Sequence, residues 1–168
     1  DQRDLPGELA ERLEASGIGP ERLIIEITER EIIEDDRVIF DVLEAVDALG
    51  VRISIDDFGT GFSSLTHLRR LPIHEIKIDR SFIGGMLARE NDRIIARSII
   101  DLAHNFGHRV VAEGAEDAAT PELLRELGCD VAQGFLFSQP VPLDQICALL
   151  DTGTAIGEDG RIGWPTSS

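Results

Sequence analysis

Residues 52–61 read RISIDDFGTG: a short run with alternating isoleucines, then two adjacent aspartates and a glycine-rich turn. The alternation of isoleucine with polar residues over 53–56 predicts a β-strand with one apolar face and one polar face. Gly59 and Gly61 predict a tight turn directly after the strand. Two carboxylates side by side at a strand end repel each other, so this segment requires a positive charge nearby.

Four further runs of strand length accompany this one. Together the five candidates are Leu23–Ile27, Val51–Asp56, Glu75–Asp79, Arg109–Glu113 and Asp130–Gln133. The apolar spacing between them predicts amphipathic helices, for example over 38–49 and 95–106. Strands that alternate with helices in this way form a parallel sheet, either open or closed as a barrel. We therefore expect an α/β fold.

Each strand candidate has a polar residue near its C-terminal end, on the face opposite its apolar residues. These residues are Glu26, Asp56, Lys77, Glu113 and Gln133. In a βα barrel this face is the interior, and the C-terminal strand ends form the mouth where active sites lie. One polar residue at a strand end is ordinary, but five from successive strands indicate a shared site.

Three or four carboxylates at one mouth need a counter-charge, and Lys77 supplies only one. Oxygen ligands at this density suit Mg²⁺ or Mn²⁺, with Asp56 and Asp57 bridging two ions or divided between them. Two metal ions activate water and stabilise both oxygens of an in-line phosphoryl displacement. The residues alone therefore favour metal-assisted hydrolysis of a phosphoester.

The charge and the cysteines exclude some functions. The formal net charge is −16, from 32 acidic residues against 16 Lys and Arg, so a nucleic acid polymer is not an expected partner. The two cysteines, Cys129 and Cys147, have no metal-ligand spacing and indicate no disulfide framework. This usage fits a reducing compartment, and we expect a cytoplasmic protein.

Five motifs follow one another over residues 1–150. They are Glu26-Ile27-Thr28-Glu29, Asp56–Leu65 (DDFGTGFSSL), Lys77–Phe82 (KIDRSF), Val110–Gly114 (VVAEG), and Gly128-Cys129-Asp130 followed by Gln133-Gly134-Phe135. In this order and spacing they resemble the EAL-domain phosphodiesterases, which hydrolyse cyclic di-GMP. The resemblance implies opening of this cyclic dinucleotide to linear pGpG with Mg²⁺ or Mn²⁺, bound as two ions.

The resemblance also implies a role for individual residues. The implied metal ligands are Glu26, Asp56, Asp57 and Glu113, although Glu113 also suits the general base, and the sequence leaves both roles open. Lys77 would orient the water and the phosphate, and Gln133 and Asp79 would contact the substrate. Glu29 would anchor the loop that contains Gly59, Thr60 and Gly61, which the family also uses near a homodimer interface.

The chain departs from the family pattern at its start, where the Glu-x-Leu motif and the Asn of the next strand are absent. A TIM barrel typically has ~250 residues. We therefore expect residues 1–151 to form the C-terminal portion of an EAL-type barrel. This portion would be an incomplete TIM-like (β/α) barrel, about five successive βα units of eight. Residues 152–168 would form a poorly ordered tail.

Such a fragment is expected to be weakly active or inactive by itself. The parent protein would have room upstream for sensory or GGDEF-type domains and for a membrane tether. The alternative to an enzyme is a non-catalytic cyclic di-GMP receptor that acts through a protein partner.

Overall fold

The structure, a computed structural model, describes residues 4–33, 37–61 and 68–151. Within these residues the helices are α1 (Leu5–Ser16), α2 (Glu29–Ile33), α3 (Arg37–Ala48), α4 (Arg80–Ile83), α5 (Glu90–Asn105), α6 (Thr120–Glu126) and α7 (Leu143–Asp151). The strands are β1 (Ile24–Thr28), β2 (Arg52–Phe58), β3 (Glu75–Ile78), β4 (Arg109–Glu113) and β5 (Val131–Gln133). Residues 62–65 of the DDFGTGFSSL motif and the predicted tail, 152–168, lie outside the described residues.

The five strands form one sheet whose order is β1-β2-β3-β4-β5, the same as their order along the chain. Every neighbouring pair is parallel. A doubly wound sheet reverses its strand order at a switch point, whereas the wall of a barrel adds strands in one direction. The predicted α/β fold is confirmed, and the sheet has the form of an incomplete TIM-like (β/α) barrel.

The two faces of the sheet differ as the alternation predicts. Ile53, Ile55, Ile76 and Ile78 are at most 1% exposed and belong to the main hydrophobic core. This core also takes residues from the helices, among them Leu43 and Val46 of α3 and Ala96, Ile100 and Ala103 of α5. The residues between the isoleucines therefore lie on the other face, which is the polar one.

The polar face is also buried within the sheet. Ser54 and Glu75 are 0% and 5% exposed, and the Ser54 hydroxyl donates a hydrogen bond to Glu75 Oε1 at 3.3 Å. Buried polar groups that satisfy each other hold their side chains in one arrangement. This layer supports the functional residues, which lie closer to the C-terminal strand ends.

The parallel register brings the C-terminal ends of the strands to one edge. Thr28 pairs with Asp56, Phe58 with Ile78, and Glu113 with Gln133. The polar residues at these ends are consequently close in space although they span most of the chain. None of the helices in the described part of the chain has the length and apolar character needed to cross a membrane.

Candidate functional site

Lys77 lies at the centre of the site, on β3. Its Nζ atom is 2.6 Å from Glu113 Oε1, 3.0 Å from Glu26 Oε2 and 3.1 Å from Asp56 Oδ1. An ammonium group has three N–H donors, so one lysine can satisfy one oxygen from each of three carboxylates. The Lys77 side chain is only 7% exposed. Three of the other four predicted polar residues therefore contact Lys77.

The charge of this lysine is strongly stabilised. Burial by itself would lower the pKa of Lys77, but the hydrogen bonds to Glu113, Glu26 and Asp56 outweigh burial and hold the pKa well above its usual range. Lys77 is also the only lysine in the chain, all other members of the 16 Lys and Arg residues being arginines. The single ammonium group of the sequence thus bridges β1, β2 and β4.

An irregularity at the end of β2 places Asp57. The register between β2 and β3 shifts between Ile55 and Phe58, and Asp57 has a φ of +55°. Neighbouring residues of a regular strand point to opposite faces, whereas a bulge turns a side chain to a new direction. Both aspartates can therefore serve the same site. In addition, Asp56 Oδ1 accepts a hydrogen bond from the Asp57 amide at 3.0 Å.

Three carboxylates meet at the mouth. One oxygen each from Asp56, Asp57 and Glu113 lies within 4.8 Å of the other two. Hard oxygen donors with this spacing suit Mg²⁺ or Mn²⁺ more than a softer transition metal, which would favour nitrogen or sulfur. The donor set therefore fits a hard divalent cation. Asp56 and Glu113 each give one oxygen to Lys77, which fixes the orientation of the carboxylate.

The mutual repulsion of these acids is visible at Asp57. Desolvation and the neighbouring charges of Asp56 and Asp79 raise the pKa of Asp57, and the charge of Lys77 opposes this only in part. The negative charge at Asp57 is therefore the least compensated of the cluster. A divalent cation bound between the carboxylates would supply the missing positive charge.

Glu26 lies at the other side of Lys77. Its carboxylate contacts the lysine at 3.0 Å and its side chain is 49% exposed. It does not belong to the group of three carboxylates that come within 4.8 Å of one another. The role of Glu26 as a metal ligand accordingly stays a prediction.

Gln133, which is predicted to contact the substrate, lines a cavity beside Lys77. The cavity has a volume of about 270 Å³, and its lining includes Glu26, Lys77, Gln133 and Phe137. Its walls are more apolar than the carboxylate cluster because Val111, Val131 and Ala132 also line it. An apolar wall next to charged groups is typical of a pocket for a small organic ligand.

Asp79, the second predicted substrate residue, caps α4. Its Oδ1 accepts a hydrogen bond from the Ser81 amide at 3.0 Å. Burial would raise the pKa of Asp79, but the hydrogen bonds from Ser81 and from the Arg80 backbone outweigh burial and lower it. Asp79 therefore remains an anion next to Asp57, which sequence reasoning did not anticipate.

Glu29 lies beneath the glycine-rich loop after β2. It is 2% exposed, and its Oε2 accepts hydrogen bonds from the amides of Gly59 and Gly61, both at 2.9 Å. Thr60 turns back on the same loop, donating through its amide and its hydroxyl to the carbonyl of Asp57 at 3.3 and 2.9 Å. These bonds connect the residues predicted to form and anchor the loop.

Two features of the site escaped sequence reasoning. The first is the irregularity in β2, although two acids before a glycine turn are a signal for such a break in the strand. The second is the packing of Phe82 against Gly59, whose Cα leaves no room for a Cβ atom. No sequence pattern indicates that contact, because Gly59 lies in the loop after β2 and Phe82 lies in α4, after β3.

Comparisons with known proteins identify the family. The EAL domain family model matches residues 1–140. The chain is 45% identical over 129 residues to the bifunctional diguanylate cyclase/cyclic di-GMP phosphodiesterase MucR of Pseudomonas aeruginosa. The aligned region covers 77% of this chain and 19% of MucR. The solved c-di-GMP complex of the PaMucR phosphodiesterase has a TM-score of 0.81 at 41% identity, covering 85% of this chain and 58% of that one.

A manganese and cyclic di-GMP complex of Klebsiella pneumoniae BlrP1 is also similar, with a TM-score of 0.74 at 35% identity over 80% of this chain and 34% of BlrP1. The chain spans about a fifth of the length of the curated relatives that it matches. The family match extends over most of the chain, and it includes all the residues that the structure brings together around Lys77. The chain belongs to the EAL domain family.

Proposed function

We propose that this domain is a metal-dependent phosphodiesterase that hydrolyses cyclic di-GMP to linear pGpG. The observation that carries the proposal is the meeting of Asp56, Asp57 and Glu113 within 4.8 Å beside the buried Lys77. Similar proteins also support the proposal, since MucR is a bifunctional diguanylate cyclase/cyclic di-GMP phosphodiesterase and the structure of BlrP1 was solved with manganese and this nucleotide.

The three clustered carboxylates would hold Mg²⁺ or Mn²⁺, and Glu26 would complete the ligand set for two ions. Metal ions in such a site make bound water a stronger nucleophile and stabilise the charge that develops on the phosphate. The protein contributes the fixed positions of its oxygens. Because Lys77 holds one oxygen each of Asp56 and Glu113, their second oxygens are directed elsewhere, and we infer that these face the metal.

Glu113 is the candidate for the general base, as the alternative to its role as a metal ligand. Its Oε1 accepts from Lys77 at 2.6 Å, so in that alternative Oε2 would receive the proton of the attacking water. Water adds to one phosphorus atom and one phosphorus–oxygen ester bond breaks. The released hydroxyl stays on the linear product, pGpG. Gln133 and Asp79 would orient the nucleotide, with part of it in the cavity of about 270 Å³.

The direct test is product analysis by chromatography. Purified protein that contains this domain is mixed with cyclic di-GMP and Mn²⁺, and we expect linear pGpG, which disappears on chelation. Asp56→Asn should reduce the rate by at least about 100-fold, because a lost ligand displaces the reacting groups. Asp101→Asn, an exposed acid on α5 that pairs with Arg97, is the matched control and should retain the rate.

The outcomes separate the enzyme from the alternative function. Intact cyclic di-GMP after incubation with folded, metal-loaded protein contradicts the proposal. Tight nucleotide binding in the presence of a chelator, with no product formed, would instead support a receptor that acts through a protein partner.

We also propose that the domain works in the cytoplasm and as a homodimer in its parent protein, with cyclic di-GMP as the small-molecule partner. The dimer is tested by sedimentation of the purified protein at several concentrations. A single monomeric species at every concentration would contradict it.

A further inference from the structure

The short helix α4 contacts the two loops that follow Asp57 on β2 and Glu113 on β4. It starts directly after β3, and its first backbone turn is capped by Asp79. The loop after β2 lies on one side and the loop after β4 on the other. Both loops approach α4 so closely that each has glycine at the point of contact.

On the first side the contact is between Phe82 and Gly59. A Cβ atom on Gly59 would lie 2.8 Å from Phe82 Cε2 and 3.2 Å from Ile99 Cδ1 of α5. Carbon atoms in ordinary contact are about 3.5–4.0 Å apart. The phenyl ring therefore packs directly on the backbone of the loop, with no side chain between them.

On the second side the contact is between Arg80 and Gly114. A Cβ atom on Gly114 would lie 2.6 Å from Arg80 Cβ and 3.3 Å from its Cα. Gly114 follows Glu113 directly, so the backbone of α4 also limits where Glu113 can move. The helix thus contacts both the segment that follows Asp57 and the segment that follows Glu113.

Asp57 needs such support because its backbone is strained. A non-glycine residue at a φ of +55° lies in the left-handed region, which is less favourable than the usual conformations. If the loop after Asp57 were free, relaxation of this strain would turn the carboxylate away from Asp56 and Glu113. Glu29 restrains the loop through the Gly59 and Gly61 amides, and Phe82 covers it from the other direction.

We propose that Phe82 is a positioning residue of the metal centre, which keeps the 59–61 loop in place and thereby holds Asp57 against Glu113. The consequence for metal binding rests on the proposed function, but the effect on the loop does not. In this role Phe82 acts through the packing of its ring on the backbone of the loop.

The experiment compares three variants of the full 168-residue chain. Phe82→Ala removes the ring, Phe82→Leu keeps an apolar side chain over Gly59, and Phe106→Ala is the matched control. Phe106 is also partly buried against the core, but it lies at the C-terminal end of α5, where its ring stacks on His108. Thermal unfolding of all variants reports the loss of global stability.

Two local measurements then separate positioning from stability. Hydrogen exchange of the Gly59 and Gly61 amides, followed by NMR, reports the loop without any metal. Calorimetric titration with Mn²⁺ measures the affinity of the carboxylate cluster for the metal. In Phe82→Ala we expect at least about tenfold faster exchange of the two amides and at least about tenfold weaker Mn²⁺ binding. Phe82→Leu should recover most of both, and Phe106→Ala should alter neither.

The results distinguish the two proposals. Unchanged exchange in a folded Phe82→Ala variant, or equal effects of Phe82→Ala and Phe106→Ala, would overturn the positioning role. If Phe82→Ala does not fold, Phe82→Val takes its place because valine leaves most of Gly59 uncovered, and unchanged exchange of the two amides then overturns the role. Absence of Mn²⁺ binding by the unmodified chain, together with faster exchange in Phe82→Ala, overturns the metal site but leaves the loop contact established.

Discussion

Lys77 Nζ and Glu113 Oε1 lie 2.6 Å apart across neighbouring parallel strands. This contact is the shortest of three that the lysine makes, and the other two reach Asp56 and Glu26. A single cation therefore holds together carboxylates that would otherwise repel one another. The site is built around this arrangement, and its stability depends on it.

Lys77→Met should destabilise the protein by roughly 2–3 kcal/mol in the absence of metal, because the substitution leaves three carboxylates without their cation. The pKa of Lys77 is raised in the folded protein, so its contribution is complete below the ordinary value of 10.5 and declines only as the pH rises through the raised value. The loss should consequently be constant between pH 7 and pH 9. Urea unfolding followed by circular dichroism measures it, with Arg97→Met on the exposed face of α5 as control.

Asp57→Asn should raise the thermal midpoint of the metal-free protein by no more than about 4 °C, since an exposed charge contributes little. Asn tolerates the left-handed backbone at this position, so the variant removes charge without adding strain. Because the folded protein raises the pKa of Asp57, ionisation destabilises it, and this penalty is absent below the ordinary value of 3.8. The gain should therefore grow as the pH rises from about 4 to 7.

The control for this variant is Asp41→Asn, an exposed acid on α3. Adding Mn²⁺ should reverse the order of the midpoints, because the metal stabilises the chain with three carboxylates more than the chain with two. A lower midpoint for Asp57→Asn in chelator at pH 7 would contradict the repulsion described at the mouth.

Glu29→Ala should cost about 2 kcal/mol or more, because the Gly59 and Gly61 amides lose a shared acceptor. Glu29→Gln should cost less, since its amide oxygen can still accept a hydrogen bond. Chemical unfolding gives the free energies, and Glu126→Ala, exposed at the end of α6, is the control. Equal stability of Glu29→Ala and the control would show that the loop does not depend on this carboxylate.

The two thiols should differ strongly in reactivity. Cys129 is 5% exposed, and burial raises its pKa to about 11, whereas Cys147 is exposed. At pH 8 a thiol reagent should modify one cysteine quickly and the other at least about 100-fold more slowly, because only the thiolate reacts. Mass spectrometry of the modified peptides identifies the faster site. Rapid labelling of Cys129 in folded protein would mean that the sheet opens at β5.

The sequence predicts those parts of the site that depend on strand alternation. Glu26, Asp56, Lys77 and Glu113 share a face because each lies an even number of residues from inward-facing neighbours, and a parallel sheet brings their strand ends together. Alternation does not predict the direction of the Asp57 side chain, because that direction depends on a local irregularity in β2. The contact of Phe82 with Gly59 depends on how α4 packs against the loop after β2, and no periodicity of the sequence predicts it.

Strand alternation also does not predict which carboxylates Lys77 contacts. The sequence indicates one cation among several acids, but the number of carboxylates it contacts depends on side-chain conformations. In the structure, one lysine satisfies Glu26, Asp56 and Glu113 together and leaves Asp57 less compensated. The uncompensated negative charge therefore lies mainly on the Asp57 side of the mouth.

The presence of a single lysine has a practical consequence for chemistry on this chain. Reagents that modify primary amines have only two targets here, the amino terminus and an ammonium group that is 7% exposed. Mild amine coupling should attach a dye or a surface to the terminus alone, giving uniformly oriented molecules. Exhaustive reductive methylation with a carbon-13 label would place reporters at two positions only, the terminus and the centre of the site.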